Sequence, residues 1–233
     1  MQVTRRDADA RGRTRLDWLD SRHSFSFGEY YDPAHMGFRA LRVINDDLIE
    51  PGQGFGKHPH RDAEILSYVL EGRLAHRDSM GNGSVIEAGD LQYMSAGTGV
   101  THSEFNESRD ERVHLLQIWI LPDRSGGAPR YAERALGTAA KPNALTLLYA
   151  GKPRDGAVEI RADADVFVGK LDAGERVKHT TLPSRGLWLH GIAGSVRAGG
   201  ETLGPGDGLA IEGAQAIEIE ADSDAEFLLF DLK

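Results

Sequence analysis

The run Gly52-Gln53-Gly54-Phe55-Gly56-Lys57-His58-Pro59-His60 carries two histidines two residues apart. In an extended chain, residues i and i+2 point to one face. Pro59 favours extended geometry at His58 and removes a backbone donor, so this strand is irregular or lies at a sheet edge. Two imidazoles close together on one face suit chelation of one divalent metal. A second pair, in His102-Ser103-Glu104, repeats the i, i+2 spacing 42 residues beyond His60. Facing each other across a barrel, two such strands would offer three imidazoles and one carboxylate. That donor set leaves positions open on a six-coordinate metal, as N/O sites for Fe(II) oxygen chemistry do. Either pair alone could be a solvent-exposed loop. Together in one short β module, each after a glycine-rich turn, they read as a metal site.

Glu64 follows His60 by four residues and shares its face if the strand continues. It is open to three roles: a ligand, an acid/base, or a satisfied buried carboxylate. His76 and His114 lack partners at ligand spacing and read as strand residues, and His23 and His35 as loop or packing residues.

The elements that must position these groups are strands. The chain has 28 glycines in 233 residues, well above the average of ~7%. They punctuate short apolar runs, the pattern of strands joined by tight turns. Ile65–Leu70, Val113–Leu121, Ala216–Glu220 and Ala225–Leu232 read as strands, and Gly81-Asn82-Gly83 as a hairpin turn. The best helix candidate is Asp17–Ser21 with its flanks. The expected fold class is all-β, a sandwich or barrel of antiparallel strands. Pro122 to Pro142 breaks this texture and reads as a link between two halves.

Composition narrows the function classes. With 27 basic and 36 acidic residues the net charge is −9, which repels phosphate backbones and argues against nucleic-acid binding. The absence of cysteine excludes a disulfide framework, thiolate zinc sites, Fe–S clusters and cysteine nucleophiles. The first residues are basic but carry no apolar run of the secretory kind. The longest apolar-rich stretch, Val113–Leu121, is too short for a helix to span a bilayer. A cytoplasmic protein without membrane association is expected.

The halves echo each other. Tyr68-Val69-Leu70-Glu71-Gly72 aligns with Leu187-Trp188-Leu189-His190-Gly191 at an offset of 119, and Gly89-Asp90 with Gly206-Asp207 at 117. Nearly equal offsets suggest a duplicated β module, with coincidence the plainer alternative. Carried across, His58, His60 and Glu64 fall on Val177, His179 and Pro183, and His102 and Glu104 on Ile219 and Ala221. If the duplication is real, the second module has kept the barrel and shed the metal.

These residues resemble the cupin superfamily. Gly52, His58, His60 and Glu64 follow its first motif, and Gly89, Gly97, His102 and Asn106 its second. Ser95 stands where the general pattern has Pro, and the Gly97-to-His102 spacing is longer. Those departures, with HSFSFGEYYDPAHMGF (His23–Phe38), LRVINDD (Leu41–Asp47), YVLEG, HRDSMGN and SAGTGVTHSEFN, resemble the pirin family along essentially the whole chain. Within that family the chain resembles the bacterial pirin-like quercetin 2,3-dioxygenases.

The resemblance implies a bicupin, two antiparallel β-barrel (jelly-roll) domains facing each other. It implies an N-terminal metal-binding domain over 1–124, a linker over 125–142 and a C-terminal cupin without ligands over 143–233. The implied ligands are His58, His60, His102 and Glu104, holding one divalent transition metal. Fe(II) is expected, with Mn, Co, Ni, Cu and Zn open. Glu64 is not a ligand in the family motif and moves to the pocket or behind the ligands. The implied reaction is dioxygen cleavage of the heterocyclic ring of quercetin or a related flavonol, releasing carbon monoxide and a depside ester. Glu104 would be its general base. Phe55, Met94 and Phe105 could line a flat aromatic pocket, or equally belong to the barrel core. Two other readings stand beside this one. A metal- or redox-sensing regulator could act by binding a protein partner, as eukaryotic pirins are held to do. A different cupin reaction on another small molecule is also open, since the fold hosts many chemistries. The duplication argument predicts one metal per chain, which elemental analysis of the purified protein checks; two equivalent ions would refute it.

Overall fold

The computed structural model describes residues 1–136 and 140–233. Among them regular structure is nearly all strand, with one 3-10 turn at Ala8–Ala10. No helix among the described residues is long and apolar enough to cross a membrane.

The strands form two pairs of sheets, and the pairs repeat one another. The first large sheet has the order Arg130–Arg134, Leu91–Ser95, Glu64–Glu71, Val113–Ile120, Leu41–Ile49, Leu19–His23, Gly12–Arg15. A four-stranded sheet accompanies it, in the order Gly54–His60, Val100–Phe105, Arg73–Asp78, Gly83–Glu87. In the second half the large sheet runs Gln2–Arg6, Gly208–Glu212, Gly186–Ala193, Ala225–Leu232, Ala164–Leu171, Ala144–Ala150, Val158–Glu159. Its small sheet runs Arg176–Thr180, Ala216–Ala221, Val196–Ala198, Glu201–Leu203. The echoed strands Glu64–Glu71 and Gly186–Ala193 are third in their sheets. The strands after the echoed turns, Leu91–Ser95 and Gly208–Glu212, are second. The chain is therefore a bicupin in which one topology occurs twice.

Alternation explains the layers. Along Glu64–Glu71, Leu66 and Tyr68 face the other half, whereas Ile65 and Val69 face the interior of their own barrel. The outward residues of both large sheets make one shared core, including Leu116, Ile118, Val166, Trp188, Leu228 and Phe230. Polar ties cross the same seam. The Tyr68 hydroxyl donates to Glu226 at 2.6 Å, and the Tyr149 hydroxyl to the carbonyl of Gln92 at 3.0 Å. Inside the second barrel a single apolar cluster fills the space, with Leu189, Ile217, Ile219 and Phe227 among its members. Inside the first barrel the apolar residues divide into two smaller clusters. Buried polar groups, described below, occupy the same interior.

Of three local expectations, two change and one holds. Asp17–Ser21 is not helical. Leu19, Ser21 and His23 are buried in a strand paired on both sides, because their alternation suits a sheet and no 3.6-residue apolar stripe competes. The Gly81–Gly83 hairpin is present, joining Arg73–Asp78 to Gly83–Glu87. The segment 125–142, expected as a linker, also adds the strand Arg130–Arg134 to the first large sheet; its residues 137–139 lie outside the described ones. In return, Gln2–Arg6 joins the second large sheet, so the halves exchange edge strands. Deleting residues 1–7 should leave Gly208–Glu212 as an open edge. Amide hydrogen exchange there should rise by at least ~10-fold while Leu91–Ser95 keeps its protection. Equal protection at both strands would contradict a structural role for the exchange.

Candidate metal centre

The two histidine-bearing strands pair antiparallel, with His102 directly opposite His58. Between His58 and Phe55 the register slips by one residue against His102 and Glu104. Such a bulge re-aims a side chain. Here Gly56 sits in the bulge, and its carbonyl accepts a hydrogen bond from His58 Nδ1 at 2.8 Å. That bond places the proton on Nδ1 and leaves Nε2 as the free donor atom.

The rings of His58, His60 and His102 form a tight triangle, with centroids 4.4 to 4.8 Å apart. One ligand nitrogen from each lies within 4.8 Å of the others. His58 and His60 are half-buried, and His102 is buried. His102 Nε2 has no hydrogen-bond partner. An orphaned buried nitrogen beside two more imidazoles fits a metal ion, which would satisfy all three. Burial, reinforced by the neighbouring imidazoles His58, His60 and His76, pushes the His102 ring down to about 2. Burial and then His58 push His60 down to about 4. Both rings are thus neutral at pH 7, as a ligand must be.

Glu104 is brought to the same interior but belongs to a second group of potential ligand atoms, with His76 and His102. It is buried, and the Gln117 amide donates to both its oxygens at 2.9 and 3.1 Å. Ser67 Oγ donates to the Gln117 carbonyl oxygen at 2.9 Å, which fixes the amide's orientation. Burial still raises the Glu104 carboxyl to about 7, against the opposing hydrogen bond from Gln117. Burial also raises Asp47 to about 7, and its Oδ1 has no partner. Behind these, His23 is hydrogen-bonded to Asn45 at 2.7 Å and to Thr14 at 2.8 Å.

Sequence reasoning missed His76, Ser67, Gln117 and Asp47. His76 sits opposite Glu104 on Arg73–Asp78, contacts His102 Nδ1 at 3.5 Å and stacks on Tyr131. The signal was parity, since Leu74, His76 and Asp78 alternate with Arg73, Ala75 and Arg77. His114 behaves as expected, on a strand and paired with Asp46 facing the other half.

The expected pocket residues divide. Phe55 lies beside the site, its ring 6.4 Å from His58. Glu64 does not share the histidine face. The strand stops at His60, Asp62 turns with φ +49, and parity is lost. Its carboxylate instead accepts hydrogen bonds from Tyr93, from Ser95 at 2.6 Å and from the Arg161 backbone at 2.8 Å. Glu64 is the satisfied buried carboxylate of the three roles. Met94 is buried in a core cluster with Ile65 and Val100, with Trp119 packed against it. Phe105 is exposed, because alternation along Val100–Phe105 turns it outward where His102 and Glu104 turn inward. Trp119, which was not expected, meets His60 edge-on at 4.9 Å. A depression of about 400 Å³ opens beside His60, lined also by Pro59, Gly99 and Thr101.

In the second barrel the register places Val177 opposite Ile219. These are the positions that the sequence echo gave for His58 and His102. Both belong to or pack on the apolar core there, so the matching cavity is filled. His179, the echo of His60, is tied to Asp231 at 2.7 Å.

Comparison with known proteins agrees with this arrangement. The model of the pirin family matches residues 4–120, and that of the quercetinase C-terminal cupin domain matches residues 147–232. The quercetin 2,3-dioxygenase of Escherichia coli K12 is 49% identical over 227 residues, 97% of each chain. A pirin-like protein of Caulobacter vibrioides is 40% identical over 230 residues, 98% of this chain and 99% of its own. The crystal structure of the bacterial pirin YhhW from Escherichia coli in complex with nickel(II) superposes with a TM-score of 0.95. It is 48% identical and covers 99% of both chains. Two models matched in order, and near-complete coverage at close to half identity, make this chain a member of the pirin family.

Proposed function

We propose that this chain is a metal-dependent dioxygenase that opens the heterocyclic ring of quercetin or a related flavonol with O2, releasing carbon monoxide. The observation that carries this reading is the three-imidazole group, two of its rings half-buried and one buried, with the buried Glu104 carboxylate in the same interior. It occurs in a chain 49% identical to a quercetin 2,3-dioxygenase. We take 1–124 as the metal-binding part and 143–233 as the part without ligands, in a cytoplasmic protein.

His58, His60 and His102 are the proposed metal ligands, with Glu104 the fourth. Fe(II) is the metal we expect, and nickel(II) is the ion named for the Escherichia coli relative. A bound divalent cation supplies stabilisation of a deprotonated hydroxyl and a common anchor for two reactants. Glu104 takes the proton of the flavonol 3-hydroxyl. Burial favours the protonated form of the Glu104 carboxyl in the metal-free protein, which makes it a stronger base than an exposed carboxylate. Gln117 holds both Glu104 oxygens and so determines where that proton is received. Phe55 and Trp119 present ring faces and edges beside the histidines and favour a flat aromatic substrate.

The experiment is quercetin consumption under oxygen by Fe(II)-loaded protein, with carbon monoxide detected, beside His102→Ala. Turnover with carbon monoxide that falls by at least ~10³ in the variant is expected. Absence of turnover with every divalent metal, despite tight binding, would refute the quercetinase and favour the partner-binding regulator. A second prediction concerns Gln117→Leu. It removes donors to the charged form of Glu104, so the acid limb of the pH–rate profile should move to higher pH. An unchanged limb would mean that Glu104 is not the base.

A further inference from the structure

Where the segment Asp123–Arg130 meets the second barrel, a cleft of about 940 Å³ opens, with no residue in common with the three-histidine group. Six cationic and five acidic side chains line it, in a chain whose net charge is −9. Pairing sorts them. Arg154 is held by Asp165, Arg185 by Asp163 and Asp231, and Arg130 lies 4.0 Å from Glu159. Arg124, Lys152 and Arg161 line the cleft with no carboxylate within 4.0 Å among the described residues. Asp123 is the one acid left over.

Arg161 is prepared for a ligand. Its backbone N–H is fixed on Glu64, and its Nη1 donates to Ser95 Oγ at 3.3 Å. The guanidinium lies on Gly127, where a Cβ would come within 2.9 Å of Nη1, and Gly127 has φ +88. Any side chain there would displace the guanidinium. An arginine with no direct ion pair, linked to the Glu64 carboxylate only through Ser95 and lining a concave surface, can receive a carboxylate or phosphate. The exposed Arg124 and Lys152 add charge around it.

We propose that this cleft binds a small molecule bearing an oxyanion, a carboxylate or a phosphate, seated on Arg161 with Arg124 and Lys152. The seat is one loop from the histidine group: Gly126 N–H is bonded to Asp62, two residues after His60. The site does not depend on the dioxygenase reading, and its test is a binding measurement.

Inorganic phosphate and succinate are titrated into the protein calorimetrically, with ionic strength held constant by chloride. The variants are Arg161→Gln, the exposed pair Arg124→Ala/Lys152→Ala, and His102→Ala. Saturable binding of one anion per chain is expected, weakened roughly tenfold in the first two and unchanged in the third. Binding of phosphate alone identifies a phosphorylated ligand. Binding of succinate, with or without phosphate, identifies a carboxylate. The pair variant keeps the test decisive if Arg161→Gln does not fold. No saturable binding of either anion overturns the proposal. So does binding lost in His102→Ala but retained in the pair variant, since the anion would then sit at the metal centre.

Discussion

A carboxylate and several imidazoles inside a β-barrel are costly to desolvate, and the N-terminal half is arranged around that cost. Glu104 is tolerated because the Gln117 amide meets both its oxygens and Ser67 locks the amide. His102 is tolerated as a neutral ring. Each of these groups excludes an apolar side chain from the interior. The core of this barrel is correspondingly split in two. Stability and chemistry are in competition within one volume, and the apolar face shared with the other half provides cohesion that the divided core does not.

The second barrel shows the same frame with the competition removed. Val177 faces Ile219 across the same pair of strands, and the interior closes into one cluster. The comparison separates what the fold requires from what the site requires. Strand order, hairpins and the positive-φ turns at Gly89 and Gly206 are common to both halves. The three-imidazole cluster, Glu104 and the bulge at Gly56 belong to the first alone, the second keeping His179 only as a partner of Asp231. A bulge is tolerated there because Gly54–His60 is an edge strand, and Pro59 between the histidines costs the ladder little for the same reason.

Much of this was legible in the sequence because it follows from period-two alternation and from an echo at nearly equal offsets. The i, i+2 pairs brought His58, His60 and His102 together, and the two offsets anticipated the Val177–Ile219 pairing. Parity failed where the strand itself ended. Glu64 lies beyond the turn at Asp62, so counting parity from His60 gives the wrong face. Phe105 follows Glu104 directly and so faces outward, which its aromatic character alone does not reveal. For His76 parity gives a face but no partner, and for Gln117 and Ser67 spacing along the chain gives neither. Register places His76 opposite Glu104, whereas Gln117 and Ser67, paired with each other, reach Glu104 from the facing sheet. Spacing along the chain reveals groups on one strand and says nothing of neighbours across three.

The exchange of edge strands sets an order on folding. Arg6 pairs with Gly208, about 200 residues later in the chain. During synthesis the first strand made is among the last to find its partner. The barrel that holds the histidines can assemble most of its sheets while Gln2–Arg6 waits unpaired, an extended polar segment with charges that discourage premature association. Closure of the second barrel then draws the beginning of the chain across the seam and ties the halves together through a backbone hydrogen-bond ladder. Separation of the barrels is thereby coupled to loss of a strand from each, which makes unfolding of either half a cost borne by both.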